Sequence, residues 1–141
     1  MIIGIGTDIT AISRIAKILE TRGEQFVSRC FSAGERAKVE GAAKDNAPLL
    51  AAGYAKRWAA KEACAKALGL GIREEIFLKD IEVSNDSQGK PSLNLMGGAK
   101  DRLTALTPKG MTSHIHVSLS DEADAALAFV VISAEQMEQG R

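Results

Sequence analysis

The stretch from Pro48 to Leu68 reads PLLAAGYAKRWAAKEACAKAL, and it decides how the rest of the chain can fold. Alanine is the best helix former and proline suits the first turn of a helix, so this stretch predicts one long helix that ends near Leu68. Gly69 and Gly71 are expected to end it, because glycine adopts the left-handed conformation that commonly follows a helix. The many alanines indicate a helix that packs closely against its neighbours, where any charged side chain needs a partner.

Shorter elements are predicted on both sides of this helix. The first is an apolar strand over 1–6, followed by an amphipathic helix over 11–21 and a short helix that begins at the capping box of Ser32 and Glu35. After the long helix, the pattern predicts a hairpin of strands at 80–84 and 92–95, a helix over 99–107, and strands at 113–119 and 126–133. The chain is therefore predicted to be α+β: a single domain over 1–141, with an antiparallel sheet, the long Ala-rich helix packed on it, and a tail that frays from about residue 135.

The composition limits the possible functions. Lys and Arg together number 18, as do Asp and Glu, and this neutral balance argues against a general nucleic-acid binder. Cys30 and Cys64 lie outside any metal-ligand spacing, and Cys64 is expected to be a small buried side chain, which fits a reduced cytoplasmic setting. The chain opens with no secretory leader, and no run reaches the roughly 20 apolar residues that span a bilayer, so no membrane partner is expected.

Two acidic residues stand out because of what surrounds them. Asp8 follows an apolar, glycine-containing strand, and Glu62 lies in the long helix among Arg57, Lys61 and Lys66. Two carboxylates beside several cations suit a metal-bridged phosphate site, in which the acids hold a hard cation and the cations hold phosphates. The spacing alone leaves two alternatives open: Asp8 as the N-cap of the next helix, and the helical charges as ordinary surface ion pairs.

Two further motifs contain polar residues at positions from which a ligand can be contacted. Gly89-Lys90-Pro91 closes the predicted hairpin turn, where a glycine lets a ligand approach the backbone and Lys90 reaches a phosphate; the alternative is ordinary turn chemistry. His114 and His116 share one face of a strand with Ser118, and a solvated outer face is the alternative there. Both histidines lack an obvious third ligand, which disfavours zinc.

Taken together, four segments resemble the holo-acyl-carrier-protein synthase family, the small 4'-phosphopantetheinyl transferases. They occur in the family order as Gly6-Thr7-Asp8-Ile9, Arg57-Trp58-Ala59-Ala60-Lys61-Glu62-Ala63, Gly89-Lys90-Pro91 and His116-Val117-Ser118-Leu119-Ser120-Asp121. The second segment is the most specific, and the similarity extends from Met1 to about Ser133. Trp58 replaces a common phenylalanine, and Asp121 stands where some members have histidine, so Asp121 is assigned no role.

The resemblance implies a reaction and an assembly. Members transfer the phosphopantetheine arm of coenzyme A to a serine of apo acyl carrier protein, with Mg²⁺ as cofactor and adenosine 3',5'-bisphosphate as the leaving product. They are homotrimers with active sites between subunits. Phosphoryl chemistry of this kind needs charge neutralised on the diphosphate and a positioned nucleophile, which agrees with paired carboxylates and nearby cations.

The same resemblance implies roles for individual residues. Asp8 and Glu62 match the metal ligands, and Glu62, directly or through water, is the expected acceptor of the serine proton. Lys61 is expected to stabilise the charge on the leaving phosphate, and Arg14, with Lys17 and Arg22 on the same cationic face, to meet an acidic carrier protein. The predicted contacts to coenzyme A are Arg57, Lys61, Lys66, Gly89, Lys90, Pro91, His116 and Ser118.

Three alternative functions remain from the residues alone. They are a non-catalytic coenzyme A or nucleotide-binding module, a metal-dependent phosphohydrolase, and a structural trimer subunit whose charges only form ion pairs. A metal-ligating pair has no purpose in a purely binding module. The sequence also has no His-rich or multi-aspartate cluster typical of a hydrolase.

Overall fold

The computed structural model describes residues 1–70 and 78–138 as four helices and five strands, plus one short 3₁₀ turn. In chain order the elements are β1 (Ile2–Ala11), α1 (Ile12–Cys30), α2 (Ala33–Ala43), α3 (Ala47–Ala67), the 3₁₀ turn Leu78–Asp80, β2 (Ile81–Asn85), β3 (Pro91–Leu95), α4 (Gly97–Leu106), β4 (Met111–Glu122) and β5 (Ala125–Gln136). Within the described residues, none of the helices combines the length and apolar character needed to cross a membrane.

The strands form two antiparallel sheets. One has three strands in the order β1-β5-β4, and the other is the β2–β3 hairpin. The Ala-rich helix α3 packs across the larger sheet, where its buried alanines meet Ala128, Val130 and Ile132 of β5. The predicted α+β class, the long helix and the hairpin are confirmed.

Glycines in β1 allow this strand to lie unusually close to α3. A β-carbon on Gly4 would overlap the carbonyl oxygen of Ala67, and one on Gly6 would overlap that of Ala63. Any larger residue would therefore push the strand away from the helix. This close approach holds the next inward-facing residue of β1, Asp8, beside the same face of α3.

A second apolar cluster joins the first three helices. It contains Ile15 and Val27 of α1 together with Tyr54 of α3, and the ring of Phe31 lies 4.8 Å from that of Tyr54. The helix α2 begins with the predicted capping box, in which the Ser32 hydroxyl accepts from the Glu35 N–H. This cluster fixes the side of α3 that faces away from the larger sheet.

The structure corrects several predicted boundaries. β1 does not end at residue 6, because its pairing with β5 continues to Ala11 opposite Ala125. The helix predicted over 11–21 continues to Cys30, and residue 21 precedes a kink, since Arg22 has the non-helical angles φ −141° and ψ 30°. Glu135 and Gln136 belong to β5 instead of a frayed tail, because β4 pairs with them. Gly71 and residues 139–141 lie outside the described residues.

Candidate active site

The two predicted metal ligands lie together between β1 and α3. Asp8 accepts hydrogen bonds from the Thr10 hydroxyl at 2.7 Å and from Lys66 Nζ at 3.1 Å. Burial and the negative charge of Asp8 raise the pKa of the Glu62 carboxyl, whereas the charges of Lys66 and Arg14 oppose that increase. The structure therefore holds two carboxylates close enough to repel each other.

The chemistry of this pair fits a hard divalent cation. Lys66, whose side chain is 51% exposed, balances the Asp8 charge and also donates to the Thr7 carbonyl at 2.8 Å. Mg²⁺ commonly takes one or two protein carboxylates and completes its shell with phosphate and water. No cluster of three His, Cys, Asp or Glu side chains that could hold a metal ion occurs within 1–70 and 78–138.

The alternative role for Asp8, as a helix cap, is wrong. Asp8 pairs with Ala128 in the middle of the extended strand β1. The helix begins four residues later, at Ile12, and its capping position is Ala11. The Asp8 carboxylate is thus directed to α3 and not to the first turn of α1.

Lys61 does not belong to this site. Its side chain is completely buried, and Nζ donates to Glu35 Oε1 at 2.8 Å, to the Leu78 carbonyl at 3.0 Å and to the Ile81 carbonyl. An ammonium has three N–H groups, so all of them are used inside the protein. This geometry corrects the prediction that Lys61 contacts phosphate: the side chain has neither an available donor nor exposed surface.

Arg57 lies on another side of α3. It is five residues before Glu62, which places it about 140° around the helix. Its guanidinium makes long hydrogen bonds to Asn85 Oδ1 at 3.3 Å and to the Gly53 carbonyl at 3.4 Å, and its buried Nε has no partner among the described residues. Burial lowers the Arg57 pKa, and the charge of Glu35 opposes that decrease. Arg57 is only 9% exposed, but its long hydrogen bonds leave the guanidinium weakly bonded within the protein.

The hairpin turn predicted to bind coenzyme A adjoins Arg57. Asn85, which accepts from Arg57, donates through its own amide to the Gly89 carbonyl at 3.1 Å. Gly89 has φ 84°, a conformation that favours glycine, and the following Lys90 is exposed. Arg57 and the turn 89–91 therefore form one basic cluster, separate from the carboxylate pair.

The two histidines lie on the outer face of the larger sheet, turned away from α3. His114 contacts Glu135 at 2.7 Å, and His116 contacts the Ser133 hydroxyl at 3.3 Å. Ser118 continues the same exposed row. Within one chain this row is on the opposite side of the sheet from Asp8, so the predicted site residues form three separate groups.

The outer sheet face is also apolar, which the sequence analysis did not identify. Ile5 and Ile9 of β1 are 62% and 70% exposed, and Leu127 and Phe129 of β5 are 39% and 42% exposed. The sequence contained an indication of this face, because glycines at the inward-facing positions of β1 alternate with isoleucines at the outward-facing positions. A contiguous apolar patch of this kind is typical of an interaction surface.

A basic groove of about 1150 Å³ runs along α1 toward the carboxylate pair. Arg14 at its near end acts electrostatically on Glu62. The predicted partner-binding residues Arg14, Lys17 and Arg22 all line it. Phe26 and Arg29 also line the groove and were not predicted, because the helix was expected to end at residue 21; helical spacing beyond that point was the available signal. Trp58 of α3, expected only as part of the family motif, lines the groove as well.

The family model described as the 4'-phosphopantetheinyl transferase superfamily matches residues 4–130. The chain belongs to this superfamily. A holo-[acyl-carrier-protein] synthase of Rhodopseudomonas palustris strain TIE-1 is 57% identical over 136 residues, covering 96% of this chain and 92% of the relative. One from Bradyrhizobium diazoefficiens is 52% identical and covers 95% and 96% of the two chains.

Solved structures agree with this assignment. The Helicobacter pylori holo-[acyl-carrier-protein] synthase in complex with coenzyme A has a TM-score of 0.74 and 31% identity, covering 92% of this chain and 99% of that one. The Neisseria meningitidis synthase has a TM-score of 0.76 and 36% identity, covering 94% and 99%. The predicted family and the predicted enzyme class, a 4'-phosphopantetheinyl transferase, are confirmed.

Proposed function

We propose that this chain is a holo-[acyl-carrier-protein] synthase. It transfers the 4'-phosphopantetheine group of coenzyme A to a serine of apo acyl carrier protein, depends on Mg²⁺, and releases adenosine 3',5'-bisphosphate. The observation that carries the proposal is the Asp8–Glu62 carboxylate pair, with Lys66 beside it. The names of the relatives and the coenzyme A complex of one of them support the choice of substrates.

The residues at the Asp8–Glu62 pair have different chemical roles in this proposal. Asp8 and Glu62 would hold Mg²⁺, which would neutralise charge on the diphosphate oxygens. The exposed Lys66 leaves Asp8 and donates to a phosphate oxygen of the donor. Glu62 accepts the proton of the carrier serine, directly or through one water.

A complete site in our proposal requires more than one copy of the chain. The carboxylate pair, the Arg57 cluster and the outer histidine row occupy different sides of a single subunit. A homotrimer packed through the apolar outer face would bring the second and third groups of one copy to the carboxylates of its neighbour. The coenzyme A contacts contributed across the interface are then Arg57, Gly89, Lys90, Pro91, His116 and Ser118, while Lys66 acts from the carboxylate side.

Mixing two inactive variants tests this arrangement. Glu62→Gln and Arg57→Ala each remove one half of the composite site. If sites form between copies, subunit exchange between the two variants restores part of the transfer activity, because some interfaces then combine two intact halves. Phe129→Asp, which places a charge on the apolar face, should prevent both the exchange and oligomer formation in analytical ultracentrifugation. An active monomer would contradict the shared site.

The carrier protein is proposed to dock in the basic groove. Arg14, Lys17 and Arg22 present positive charge, and Phe26 and Trp58 provide apolar surface between them. Acidic carrier residues would be attracted to this charge, which increases the association rate and makes binding sensitive to salt. Arg14 both lines the groove and acts electrostatically on Glu62, so we place the serine of a docked carrier near the reacting phosphate at this end of the groove.

Intact-mass analysis separates this function from its rivals. Apo acyl carrier protein is incubated with coenzyme A, Mg²⁺ and the protein, and a mass gain of one phosphopantetheine is expected on the carrier. Release of free phosphopantetheine without modified carrier would instead indicate a phosphohydrolase. Bound coenzyme A with neither product would indicate a binding module.

A further inference from the structure

The N-terminus of α1 has no cap from its own sequence. β1 passes into α1 without a loop, and the capping position is occupied by Ala11, whose side chain makes no capping hydrogen bond. The first turn contains no acidic residue. The N–H groups of a first helical turn need acceptors, and a turn that lacks them frays. The acceptors must come from elsewhere in the chain.

Asp124, in the turn between β4 and β5, provides these acceptors from 111 positions away in sequence. Its backbone carbonyl accepts from the Ile12 N–H at 2.8 Å. Its carboxylate accepts from the Ser13 N–H at 2.8 Å and from the Ser13 hydroxyl at 2.6 Å. The negative charge also lies at the positive end of the helix dipole. One residue therefore caps α1 in three ways.

The β4–β5 turn is held in a specific shape at this point. Ala123 has φ 51°, a left-handed conformation that a residue with a β-carbon rarely adopts. Close by, Asp121 pairs with Lys56 of α3 at 3.0 Å. The end of this hairpin is thus bonded to both α1 and α3, the two helices that form the basic groove.

The capped turn lies next to the reacting groups. Arg14 directly follows Ser13, and its charge acts on the Glu62 carboxyl. Lys17 is one turn further along the groove. Because α1 is kinked at Arg22, the second half of the helix does not fix the direction of the first half. Ile15 packs in the apolar cluster and fixes one face of this first half, so the directions of Arg14 and Lys17 depend on that packing together with the anchor of the exposed first turn.

We propose that Asp124 is a positioning residue for carrier-protein binding, holding the first turn of α1 so that Arg14 and Lys17 face the docked carrier. This inference rests on the proposed function. An uncapped turn is ordered for only part of the time, and the affinity of a ligand that needs it falls with that fraction. Coenzyme A affinity is spared, because the carboxylate pair and Lys66 are held by β1 and α3.

Kinetics of two Asp124 variants test the inference. Asp124→Ala is expected to raise the KM for apo acyl carrier protein by about five-fold or more and to leave kcat and the KM for coenzyme A within about two-fold. Asp124→Asn should restore the carrier KM, because asparagine is also a good cap and its side-chain oxygen can accept from Ser13. Asp121→Asn is the matched control: it removes one negative charge from the same turn, keeps an oxygen that can accept from Lys56, and should leave the carrier KM unchanged.

Amide hydrogen exchange over residues 12–15 measures the cap without using activity. Exchange should become faster in Asp124→Ala than in the wild type, Asp124→Asn or Asp121→Asn. Unchanged exchange, or faster exchange with an unchanged carrier KM, overturns the positioning role. An equal change in the KM of both substrates also overturns it, since that indicates general loosening. A wild-type protein that fails to modify the carrier refutes the proposed function instead.

Discussion

Lys61 and Lys66 of α3 both form ion pairs with acids, and the contrast between these two pairs separates stability from function. Lys61 and Glu35 are both 0% exposed, and every N–H of the Lys61 ammonium is used. Lys66 is 51% exposed and its partner Asp8 16% exposed, with Glu62 adjacent. The first pair joins α3 to α2 and to the segment before β2, whereas the second can open to receive a ligand.

The difference shows that the burial of an ion pair decides whether it holds the fold together or can exchange its partner. A charge taken out of water is stable only while its partner stays in place, so the Lys61 pair is rigid. Burial also lowers the pKa of Lys61, which the Glu35 charge counteracts. An exposed pair contributes little stability and exchanges partners easily, so Lys66 can transfer its hydrogen bonds from Asp8 to a phosphate.

The largest effect is expected when either carboxylate of the Asp8–Glu62 pair is removed. Asp8→Asn or Glu62→Gln should reduce kcat/KM for transfer by about 1,000-fold or more, because each removes a carboxylate ligand of the proposed metal site. Initial rates over a range of Mg²⁺ concentrations measure this loss, and circular dichroism checks that the fold is retained. Asp101→Asn on α4 is the control. Near-normal turnover at limiting Mg²⁺ would refute the metal assignment.

Breaking the buried pair should instead reduce stability. Lys61→Met leaves the Glu35 carboxylate buried without its partner, so the free energy of unfolding is expected to fall by about 3–5 kcal/mol. Denaturant titration measures this change. The KM for coenzyme A of the remaining folded protein should not change. The opposite result would be a Lys61→Met protein of normal stability with a strongly raised KM for coenzyme A. That result would indicate that Lys61 contacts phosphate after all.

The exposed lysine should show the opposite response. Lys66→Met is expected to change the free energy of unfolding by less than about 1 kcal/mol, since exposed ion pairs contribute little. Its kcat/KM for coenzyme A should fall about 10- to 100-fold, the usual effect of losing a charged hydrogen bond to a ligand. Steady-state kinetics and thermal melting on the same samples test both parts. Unaltered coenzyme A kinetics would remove Lys66 from the site.

The smallest effect is expected on the helix that adjoins the site. Arg14→Glu reverses one charge of the basic groove, and we expect the carrier KM to rise about five-fold at low salt while coenzyme A affinity is unchanged. The increase should diminish as salt is added. Lys100→Glu, on the exposed surface of α4, is the control for net charge. Equal responses of the two variants would indicate a general charge effect without docking at α1.

Much of the fold was predictable because local patterns and tertiary structure agree. The Ala-rich segment formed the long helix, the Ser32–Glu35 pair formed a capping box, and the alternation after residue 80 formed antiparallel strands. Boundaries were less predictable wherever strand pairing extended an element. β1 continues through Asp8 to Ala11 because β5 offers it hydrogen-bonding partners, which no local propensity reveals.

The candidate site was predictable in composition and only partly in roles. Lys66 is bonded to Asp8, and both charges act on Glu62, while the roles of these residues at a metal or a phosphate stay predictions. Lys61 and Glu62 are adjacent in sequence, yet one side chain lies in the core and the other at the site, since neighbouring helical residues point about 100° apart. Which of them is buried depends on Glu35 from another helix, and sequence spacing does not show that contact.

By itself, the sequence predicted the family and the α+β class, because these follow from short motifs and from the periodicity of the chain, and it singled out Asp8 and Glu62 as the proposed metal ligands. Only the tertiary structure decided which lysine is available, where the basic groove runs, and that Asp124 caps α1. Those properties depend on burial and on partners far apart in sequence, such as Ser13 with Asp124 and Lys61 with Glu35. Solvent exposure and hydrogen-bond partners exist only once the chain has packed.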